Sequence, residues 1–430
     1  MGSERYYKQK DDIISTLNMG YTKDTIKGVG WVGGLRLITR IVSFARIAIL
    51  ARLLSPVQFG VFGIAMLVTA LLEVFTETGV NVILVQEKKD IKEYIDSAWI
   101  VSIIRGIIIS IVIFLSAAFV SGFFRSPDSI FLIQLISIVP LVRGFINPSS
   151  VKFQKNLEFH KEFWYRFVIF SFDAVVAIVL AYITKSAISL VFGLLAGVIV
   201  EVILSFLVVK PMPHLCFNKE YISRIFHRGK WITLSSIFNY LYHNADNIVV
   251  GRILGTSSLG LYEMAYKISM LPITEISDVV SKVTFPVYSK IAEDIQRLKK
   301  AFLTTLLYVS MFSILFGLAL LIFTDQIVRI ILGNQWISII PVLKILVIFG
   351  IVRAISGSTS ALFLAVQKQQ YITVVTLVSI GTLAITIVPL VVNLGLIGAG
   401  LSALLGSFFS LPFMIYFTLK VFSKDYHESA

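Results

Sequence analysis

The chain has a single cysteine, Cys216, and no two of its five histidines stand at metal-ligand spacing. We therefore expect neither an internal disulfide nor a bound metal. No Gly-Lys-Ser/Thr phosphate loop occurs, so we expect no nucleotide-hydrolysing site and no cofactor. Charged residues are also scarce: they make up 15% of the chain, against about 25% in soluble domains. This composition argues against a soluble protein.

Long apolar runs take the place of charged residues. Hydrophobic residues make up 57% of the chain, and apolar runs of roughly 20 residues, enough to cross a bilayer as a helix, recur along it. A β-barrel is excluded because its strands alternate in polarity, whereas a segment such as 106–120 is apolar on every side. We predict an all-α polytopic membrane protein of about twelve spanning helices, near 30–53, 59–84, 99–123, 129–148, 166–184, 188–209, 231–253, 259–287, 303–324, 341–364, 371–393 and 396–419.

The basic residues indicate how the chain is oriented. The net charge is +13, and lysine and arginine are concentrated ahead of the first predicted span and in alternate connections after it. Cytoplasmic loops of membrane proteins carry such an excess of positive charge. We therefore predict that both termini are cytoplasmic and that the number of spans is even. Because the positive charge follows the membrane topology, it does not indicate a nucleic-acid partner.

The two halves of the chain repeat each other at a distance of 200 positions. Phe62 recurs as Tyr262, and six residues recur unchanged: Trp31 as Trp231, Ala45 as Ala245, Arg52 as Arg252, Leu54 as Leu254, Gly60 as Gly260 and Ala65 as Ala265. Transporters built from two similar halves usually bind their cargo between the halves. We predict a cytoplasmic segment 1–27, two six-helix lobes at 28–210 and 211–420, and a cytoplasmic tail 421–430.

The first predicted span contains four arginines: Arg52 stands at its outer end, and Arg36, Arg40 and Arg46 lie further inside. At 100° per residue, Arg40 lies about 40° from Arg36, and Arg46 lies about 80° to the other side, so these last three share one face of the helix. A cation at the bilayer centre costs about 2.5–3.5 kcal/mol on insertion scales, and it normally faces protein or water. We predict that these three arginines line a cavity and bind substrate. The alternative is that they snorkel to lipid head groups or pair internally.

The seventh predicted span is polar in a different way. Asn239, His243 and Asp246 stand at i, i+4 and i+7 on one helical face, with Asn247 beside them. Asp246 is the repeat counterpart of Arg46. An ionisable residue inside a span is by default functional, so Asp246 either binds a coupling proton or sodium ion or neutralises an arginine. His243 either titrates near neutral pH or is an ordinary hydrogen-bonding residue.

Other charged residues inside spans are secondary candidates. Glu73 and Glu77 lie four positions apart on the second span, and Lys344 and Arg353 on the tenth would add to a cationic interior. Paired carboxylates also occur in glycosidases, but neighbours on one helical face reach that spacing by accident. A further group stands at i, i+3 and i+7 on the eighth span, where an internal ion pair is the simpler interpretation: Glu275, Asp278 and Lys282.

Three segments of the sequence resemble a known family. They are "ARLLSPVQFGVFGIAMLVTALLEVFTETGVNVILVQEKKD" at 51–90, "YHNADNIVVGRILGTSSLGLYEMAYKI" at 242–268 and "VSKVTFPVYSKIAEDIQRLKKAF" at 280–302. The chain looks like a member of the polysaccharide transporter family, the Wzx-type flippases of the multidrug/oligosaccharidyl-lipid/polysaccharide exporter superfamily. The resemblance covers most of residues 28–420. One departure is Glu77, where members of the family often carry Asp.

The resemblance implies two lobes of six helices packed as a V around a central cavity. It also implies an activity, which is to move a polyprenyl-pyrophosphate-linked oligosaccharide from the cytoplasmic to the outer leaflet. Such a protein lies in the prokaryotic cytoplasmic membrane and serves O-antigen, capsule, exopolysaccharide or teichuronic-type synthesis. Its partners would be the glycan lipid, the bilayer and polymerase or other assembly proteins. Deep arginines such as Arg40 and Arg46 suit a pyrophosphate.

Two other transport functions stay open from the sequence. One is export of drugs or organic cations by the same superfamily, which should place acidic residues rather than arginines in the N-lobe cavity. The other is flipping of a peptidoglycan lipid precursor. A polymerase or ligase would need a large outside loop with catalytic residues, and the longest predicted outside connection runs only from about 324 to 340. We therefore expect no enzyme.

Overall fold

The structure is a computed structural model of the chain, and it describes residues 38–39, 41–76, 92–156, 158–214 and 219–423. Every regular element in these residues is a helix, as the sequence predicted. We number the long helices α1 (41–53), α2 (Pro56–Phe75), α3 (Lys92–Phe124), α4 (Ser129–Arg143), α5 (Phe159–Thr184), α6 (Ile188–Val208), α7 (Lys219–Leu254), α8 (Thr256–Lys290), α9 (Ile295–Ile322), α10 (Ile340–Ala365), α11 (Gln369–Leu394) and α12 (Leu396–Val421).

Eight helices in this part of the chain are long and apolar enough to cross a membrane. They lie at Pro56–Phe75, Ile95–Phe124, His160–Thr184, Ile188–Val208, Ile295–Ile322, Asn334–Ala365, Gln369–Leu394 and Leu396–Val421. Large apolar side chains on their outer faces are exposed, such as Leu115 at 73% and Ile385 at 77%, as expected where lipid replaces water. The chain is therefore a multi-pass membrane protein. That the four remaining segments, near 30–53, 129–148, 231–253 and 259–287, also cross the membrane stays a prediction.

Several helices extend beyond the apolar runs that predicted them. Helix α3 begins at Lys92 and α7 at Lys219, whereas their apolar runs were predicted to begin near 99 and 231. Hydropathy marks only the part of a helix inside the hydrocarbon layer, and polar residues continue the helix past that layer. Helix α4 is shorter than predicted and is interrupted at Ser137, three residues before Pro140.

Short helical segments form two of the connections. Between α4 and α5 lie a 3-10 turn at Pro148–Val151 and a single α-helical turn at Lys152–Lys155. Between α9 and α10 lie Thr324–Ile327, Val328–Leu332 and Asn334–Ile339. Trp336 in the last segment is fully buried, and its ring packs edge-on to Phe59 at 5.3 Å between centroids. This connection is therefore folded against helix α2.

The chain divides into two compact units. The N-terminal unit comprises the chain up to Leu53 with Val68–Ala118 and Ile130–Tyr240, and the C-terminal unit comprises Leu54–Leu67, Phe119–Ser129 and the chain from Leu241. In the N-terminal unit α5 lies against α6, and a Cβ at Gly193 of α6 would be 2.6 Å from the Ala177 Cβ of α5. In the C-terminal unit α8 lies against α10, and α11 against α12.

The 200-residue repeat reappears as a contact inside the C-terminal unit. The first turns of α2 and α8 cross at Gly60 and Gly260, so that a Cβ at Gly60 would overlap the Thr256 carbonyl oxygen. A Cβ at Gly260 would equally overlap the Pro56 carbonyl oxygen. Positions 56 and 60 correspond to positions 256 and 260, so the contact is reciprocal, as in a two-fold symmetric interface. The two backbones touch there, and only glycine fits at either position.

Candidate functional site

Arg46, the first candidate that the structure describes, forms an ion pair with Asp173. Its Nη1 and Nη2 donate to the two carboxylate oxygens of Asp173, each at 2.8 Å. The two side chains are 16% and 11% exposed, so α1 and α5 of the N-terminal unit are joined by a nearly buried, bidentate salt bridge. Arg46 Nε is buried and has no hydrogen-bond partner in the described part of the chain. From the sequence, pairing of Arg46 with another residue of the chain was one of two alternatives. The partner, Asp173, was not among the candidates that the sequence suggested.

A second charged group surrounds Glu73 at the end of α2. Arg143 Nη1 of α4 donates to Glu73 Oε1 at 2.6 Å. Arg105 of α3 donates from Nη2 to the Glu73 carbonyl oxygen at 2.5 Å and from Nε to Thr76 Oγ1 at 3.0 Å. Two arginines, Arg105 and Arg143, therefore tie together the end of α2, α3 and the end of α4 within the N-terminal unit.

These residues border a cavity of about 460 Å³ within the N-terminal unit. We call it the N-unit cavity. Its lining comes from α2, α3, α4, α5, α6 and the connection after α4, and it contains three arginines and three glutamates: Arg105, Arg143, Arg166, Glu73, Glu162 and Glu201. Ligand pockets in proteins commonly measure about 300–1,000 Å³, so this cavity has the size of a binding site.

Asp246 of α7 is buried in the C-terminal unit, 5% exposed. The Tyr262 hydroxyl of α8 donates to its Oδ2 at 2.9 Å, and the Asn247 backbone N–H donates to its Oδ1 at 2.9 Å. The side-chain Oδ1 of Asn247 is itself buried, with no hydrogen-bond partner among the residues that the structure describes. The predicted intramembrane carboxylate thus has hydroxyl and amide donors around it.

Arg353 lies at the middle of α10, 13 residues after its start at Ile340. Its Nη1 donates to the Tyr266 hydroxyl at 2.7 Å, and its Nη2 lies 3.0 Å from His243 Nδ1. Because a guanidinium can only donate, His243 must accept through an unprotonated Nδ1 and is neutral in this arrangement. Aromatic rings complete the surroundings, with the guanidinium carbon 5.8 Å from the Phe349 ring centroid.

Arg353 also borders a cavity of about 140 Å³ in the C-terminal unit, lined by the part of α7 that belongs to this unit and by α10, α11 and α12. We call it the C-unit cavity. Its lining has one cation and no carboxylate, together with the Tyr242 phenol and seven aliphatic hydroxyls: Ser356, Thr359, Ser360, Thr376, Ser379, Ser407 and Ser410. Among side chains that the structure describes, Arg353 has no carboxylate in ion-pair contact. The sequence named Arg353 only as a secondary candidate, and it missed the hydroxyls.

The remaining candidates lie elsewhere. Lys344, 46% exposed, has its Nζ 3.6 Å from Asp325 Oδ2 rather than near Arg353, and Asn239 is exposed on α7. Three predicted residues lie outside the described residues: Arg36, Arg40 and Glu77. The eighth-span trio lies where only the backbone is described, namely Glu275, Asp278 and Lys282. Within the described residues, no group of three or more His, Cys, Asp or Glu could hold a metal ion.

Solved structures share this fold. An inward-facing multidrug resistance MATE family transporter of the MOP superfamily aligns with a TM-score of 0.71 over 90% of this chain and 97% of that chain, at 15% identity. The lipid II flippase MurJ, in an inward closed conformation, aligns with a TM-score of 0.72 over 91% of this chain and 88% of that chain, also at 15% identity. At such identities the likeness shows the fold, which is that of the MOP superfamily transporters.

A family profile identifies the family, and a curated protein is similar to this chain over most of its length. The lipopolysaccharide biosynthesis protein WzxC of Escherichia coli (strain K12) is 26% identical over 368 residues, which cover 81% of this chain and 71% of that protein. The profile of the family described as "Polysaccharide biosynthesis protein" matches residues 49–341. That match covers more than half of the chain, and the chain belongs to this family of polysaccharide biosynthesis proteins.

Proposed function

We propose that the chain is a flippase for a polyprenyl-pyrophosphate-linked oligosaccharide, which it moves from the cytoplasmic to the outer leaflet by alternating access. Family membership supports a role in polysaccharide synthesis, and the shared fold with the lipid II flippase MurJ supports movement of a lipid-linked glycan. The step requires no covalent chemistry, because the cargo crosses the membrane unchanged. We propose a prokaryotic cytoplasmic membrane as its location, with both termini in the cytoplasm, from the distribution of basic residues.

Arg353 is the observation that carries this proposal. It is a cation near the middle of a membrane span, and its hydrogen-bond partners Tyr266 and His243 are both neutral. Such a cation is costly to keep within a bilayer, by about 2.5–3.5 kcal/mol on insertion scales, and normally serves a function. The Asp246 carboxylate acts on Arg353 through its charge but makes no ion-pair contact with it within the described residues. A phosphate group of the cargo would supply a direct anionic partner, because a guanidinium matches phosphate oxygens in a planar, bidentate geometry.

The hydroxyls of the C-unit cavity fit the same cargo. Seven serine and threonine hydroxyls line it, and no carboxylate there would repel an anion. Hydroxyl hydrogens rotate to suit their partner, so these groups can turn toward phosphate oxygens. Arg46, by contrast, already holds the Asp173 carboxylate with two hydrogen bonds. We therefore propose Arg353 as the principal phosphate ligand, with Arg36, Arg40 and Arg46 as further cationic residues of the pathway.

Asp246 is the proposed site of energy coupling. It is a buried carboxylate inside α7, and a proton or a sodium ion could bind it in exchange with the Tyr262 hydroxyl that now donates to it. The unpartnered Oδ1 of neighbouring Asn247 offers a second oxygen. Asn239 and His243 lie on the same helix and would complete a polar face. We also propose that the chain contacts polymerase or other assembly proteins, and we assign no surface to these contacts.

The test replaces Arg353 in the organism that encodes the chain, after deletion of its own gene. Arg353→Gln keeps the size and polarity of the side chain but removes its charge, and Arg329→Gln removes an exposed charge outside the cavities as a matched control. We expect Arg329→Gln to restore surface polysaccharide, Arg353→Lys to restore part of it, and Arg353→Gln to leave lipid-linked glycan accumulating in the cell. Full restoration by Arg353→Gln at equal protein abundance would contradict the proposal.

A further inference from the structure

The N-unit cavity has a lining that differs in chemistry from that of the C-unit cavity. Its three arginines and three glutamates give a formal net charge of zero, whereas the lining of the C-unit cavity has one cation and no carboxylate. Two of the arginines are held by glutamates of the same lining, Arg143 by Glu73 at 2.6 Å and Arg166 by Glu162 at 2.9 Å. A site of this kind does not select a ligand by charge.

The lining offers hydrogen-bond donors and acceptors side by side. Guanidinium groups can only donate, and ionised carboxylates can only accept. A ligand that meets both needs groups that donate and accept at once, and a hydroxyl group does both. Several hydroxyls on one rigid frame would satisfy several of these side chains together. An ionised phosphate could not, because it only accepts hydrogen bonds and would leave the three carboxylates without donors.

Glu201 on α6 has a carboxylate whose capacity to accept hydrogen bonds is not used by the described lining. Its carboxylate lies in the electrostatic field of Arg143 and Arg166, yet no side chain or backbone N–H in the described part of the chain donates a hydrogen bond to it. The Tyr165 hydroxyl donates to the Glu201 carbonyl oxygen instead, at 3.3 Å. A partly buried carboxylate such as that of Glu201 gains from a donor that reaches it, and a ligand hydroxyl would be such a donor.

Apolar walls complete the cavity. Phe153 and Tyr165 are 4% and 8% exposed, and their ring centroids lie 5.7 Å apart. Pro140 and Pro148 line the same space. Where α3 meets α4 in the lining, the helices approach so closely that a Cβ at Gly106 would lie 2.5 Å from the Pro140 carbonyl oxygen. The walls are thus fixed by packing, and they include apolar side chains next to charged groups.

We propose that the N-unit cavity binds a sugar ring of the glycan cargo. A pyranose carries hydroxyls that donate and accept around its edge and C–H groups on its faces, which matches both kinds of lining. This inference rests on the proposed function, because it assigns one part of the same cargo. The sugar would bind among Glu201, Arg143 and Arg166 of the N-terminal unit.

Protection of a cysteine tests this assignment. The full-length chain is prepared with Cys216→Ser and Ser150→Cys, so that the new thiol lines the N-unit cavity, and is reconstituted in lipid nanodiscs. The rate of labelling by a small maleimide is measured with free neutral hexoses, N-acetylhexosamines and hexuronates at millimolar concentration. The matched control carries Cys216→Ser with Gln369→Cys, an exposed position at the start of α11 outside this cavity.

We expect at least one sugar to slow labelling of Ser150→Cys several-fold and to leave Gln369→Cys unchanged. Adding Glu201→Gln should remove most of this protection, whereas adding Arg353→Gln should not affect it. The assignment is overturned if no sugar protects, or if inorganic pyrophosphate protects as well as any sugar does. Sugar protection of Ser150→Cys does not require transport. A loss of export in Arg353→Gln without sugar protection would therefore refute this inference alone. Sugar protection together with full export by Arg353→Gln would refute the proposed function alone.

Discussion

Removing one partner of the Arg46–Asp173 ion pair is expected to destabilise the protein more than removing both charges. The two terminal nitrogens of the guanidinium, Nη1 and Nη2, each donate a hydrogen bond of 2.8 Å to Asp173. Asp173 is also packed tightly against α6, since a Cβ at Gly193 would lie 2.8 Å from its Oδ1. In the variant Arg46→Met, this carboxylate would lie inside the helical bundle without its cation.

The size of the effect follows from burial. Breaking a buried pair by removing one partner costs about 3–5 kcal/mol, whereas replacing both charges by uncharged groups of similar size is often neutral. The side chains are 16% and 11% exposed, so we expect the lower end, about 3 kcal/mol, for Arg46→Met. Asp173→Asn should cost less, since the long arginine can move its charge toward water. The double variant should lie within about 1 kcal/mol of wild type.

The assay is unfolding of the four purified proteins in bicelles, combined as a double-mutant cycle. Additive effects of the two single changes would refute the ion pair as an energetic unit. Export by the same variants separates structure from transport. If Arg46 only stabilises the N-terminal unit, the double variant folds and exports glycan; if Arg46 also binds cargo, the double variant folds but does not export.

Three further outcomes are expected. Gly60→Ala and Gly260→Ala should each lower the free energy of unfolding by about 1–3 kcal/mol, because the new Cβ overlaps backbone. Gly122→Ala, whose Cβ would have nothing within 4 Å, should not lower the free energy of unfolding in the same assay. Asp246→Asn should bind glycan lipid but stop turnover in proteoliposomes under imposed proton and sodium gradients; fully gradient-dependent transport by this variant would exclude it as the coupling site. Lys344→Ala, which removes a half-exposed pair, should cost less than about 1 kcal/mol and leave surface polysaccharide at the wild-type level.

The positions of the spans could be predicted because hydrophobicity alone determines them. Helices α6 and α10 begin within one residue of the predicted start, since the bilayer sets the length of an apolar helix. The polar extensions of α3 and α7 could not be predicted in this way, because they lie outside the hydrocarbon layer. The repeat correctly indicated that Gly60 and Gly260 are equivalent, but not that they touch.

The candidate site was only partly predictable. Asp246 and Arg353 were found because an ionisable residue inside a span is unusual. The same rule applies to Asp173, Glu201 and Arg143, and a uniform search for charges inside spans would have found them. What sequence could not supply is which helices meet, and so which charges are already paired. Serine and threonine hydroxyls are common inside spans, so those around Arg353 gave no signal until the helices were placed.

The most direct test of the central claim is flipping by the purified chain in proteoliposomes. The substrates are the fluorescently tagged polyprenyl-pyrophosphate-linked glycan of the same organism and the same glycan on a polyprenyl chain without phosphate, and the fraction reaching the opposite leaflet is followed by chemical quenching. We expect the wild-type chain to flip the pyrophosphate-linked lipid and not the phosphate-free one, and Arg353→Gln to flip neither. Equal rates for the two lipids, or wild-type rates with Arg353→Gln, would contradict a phosphate-binding role for Arg353.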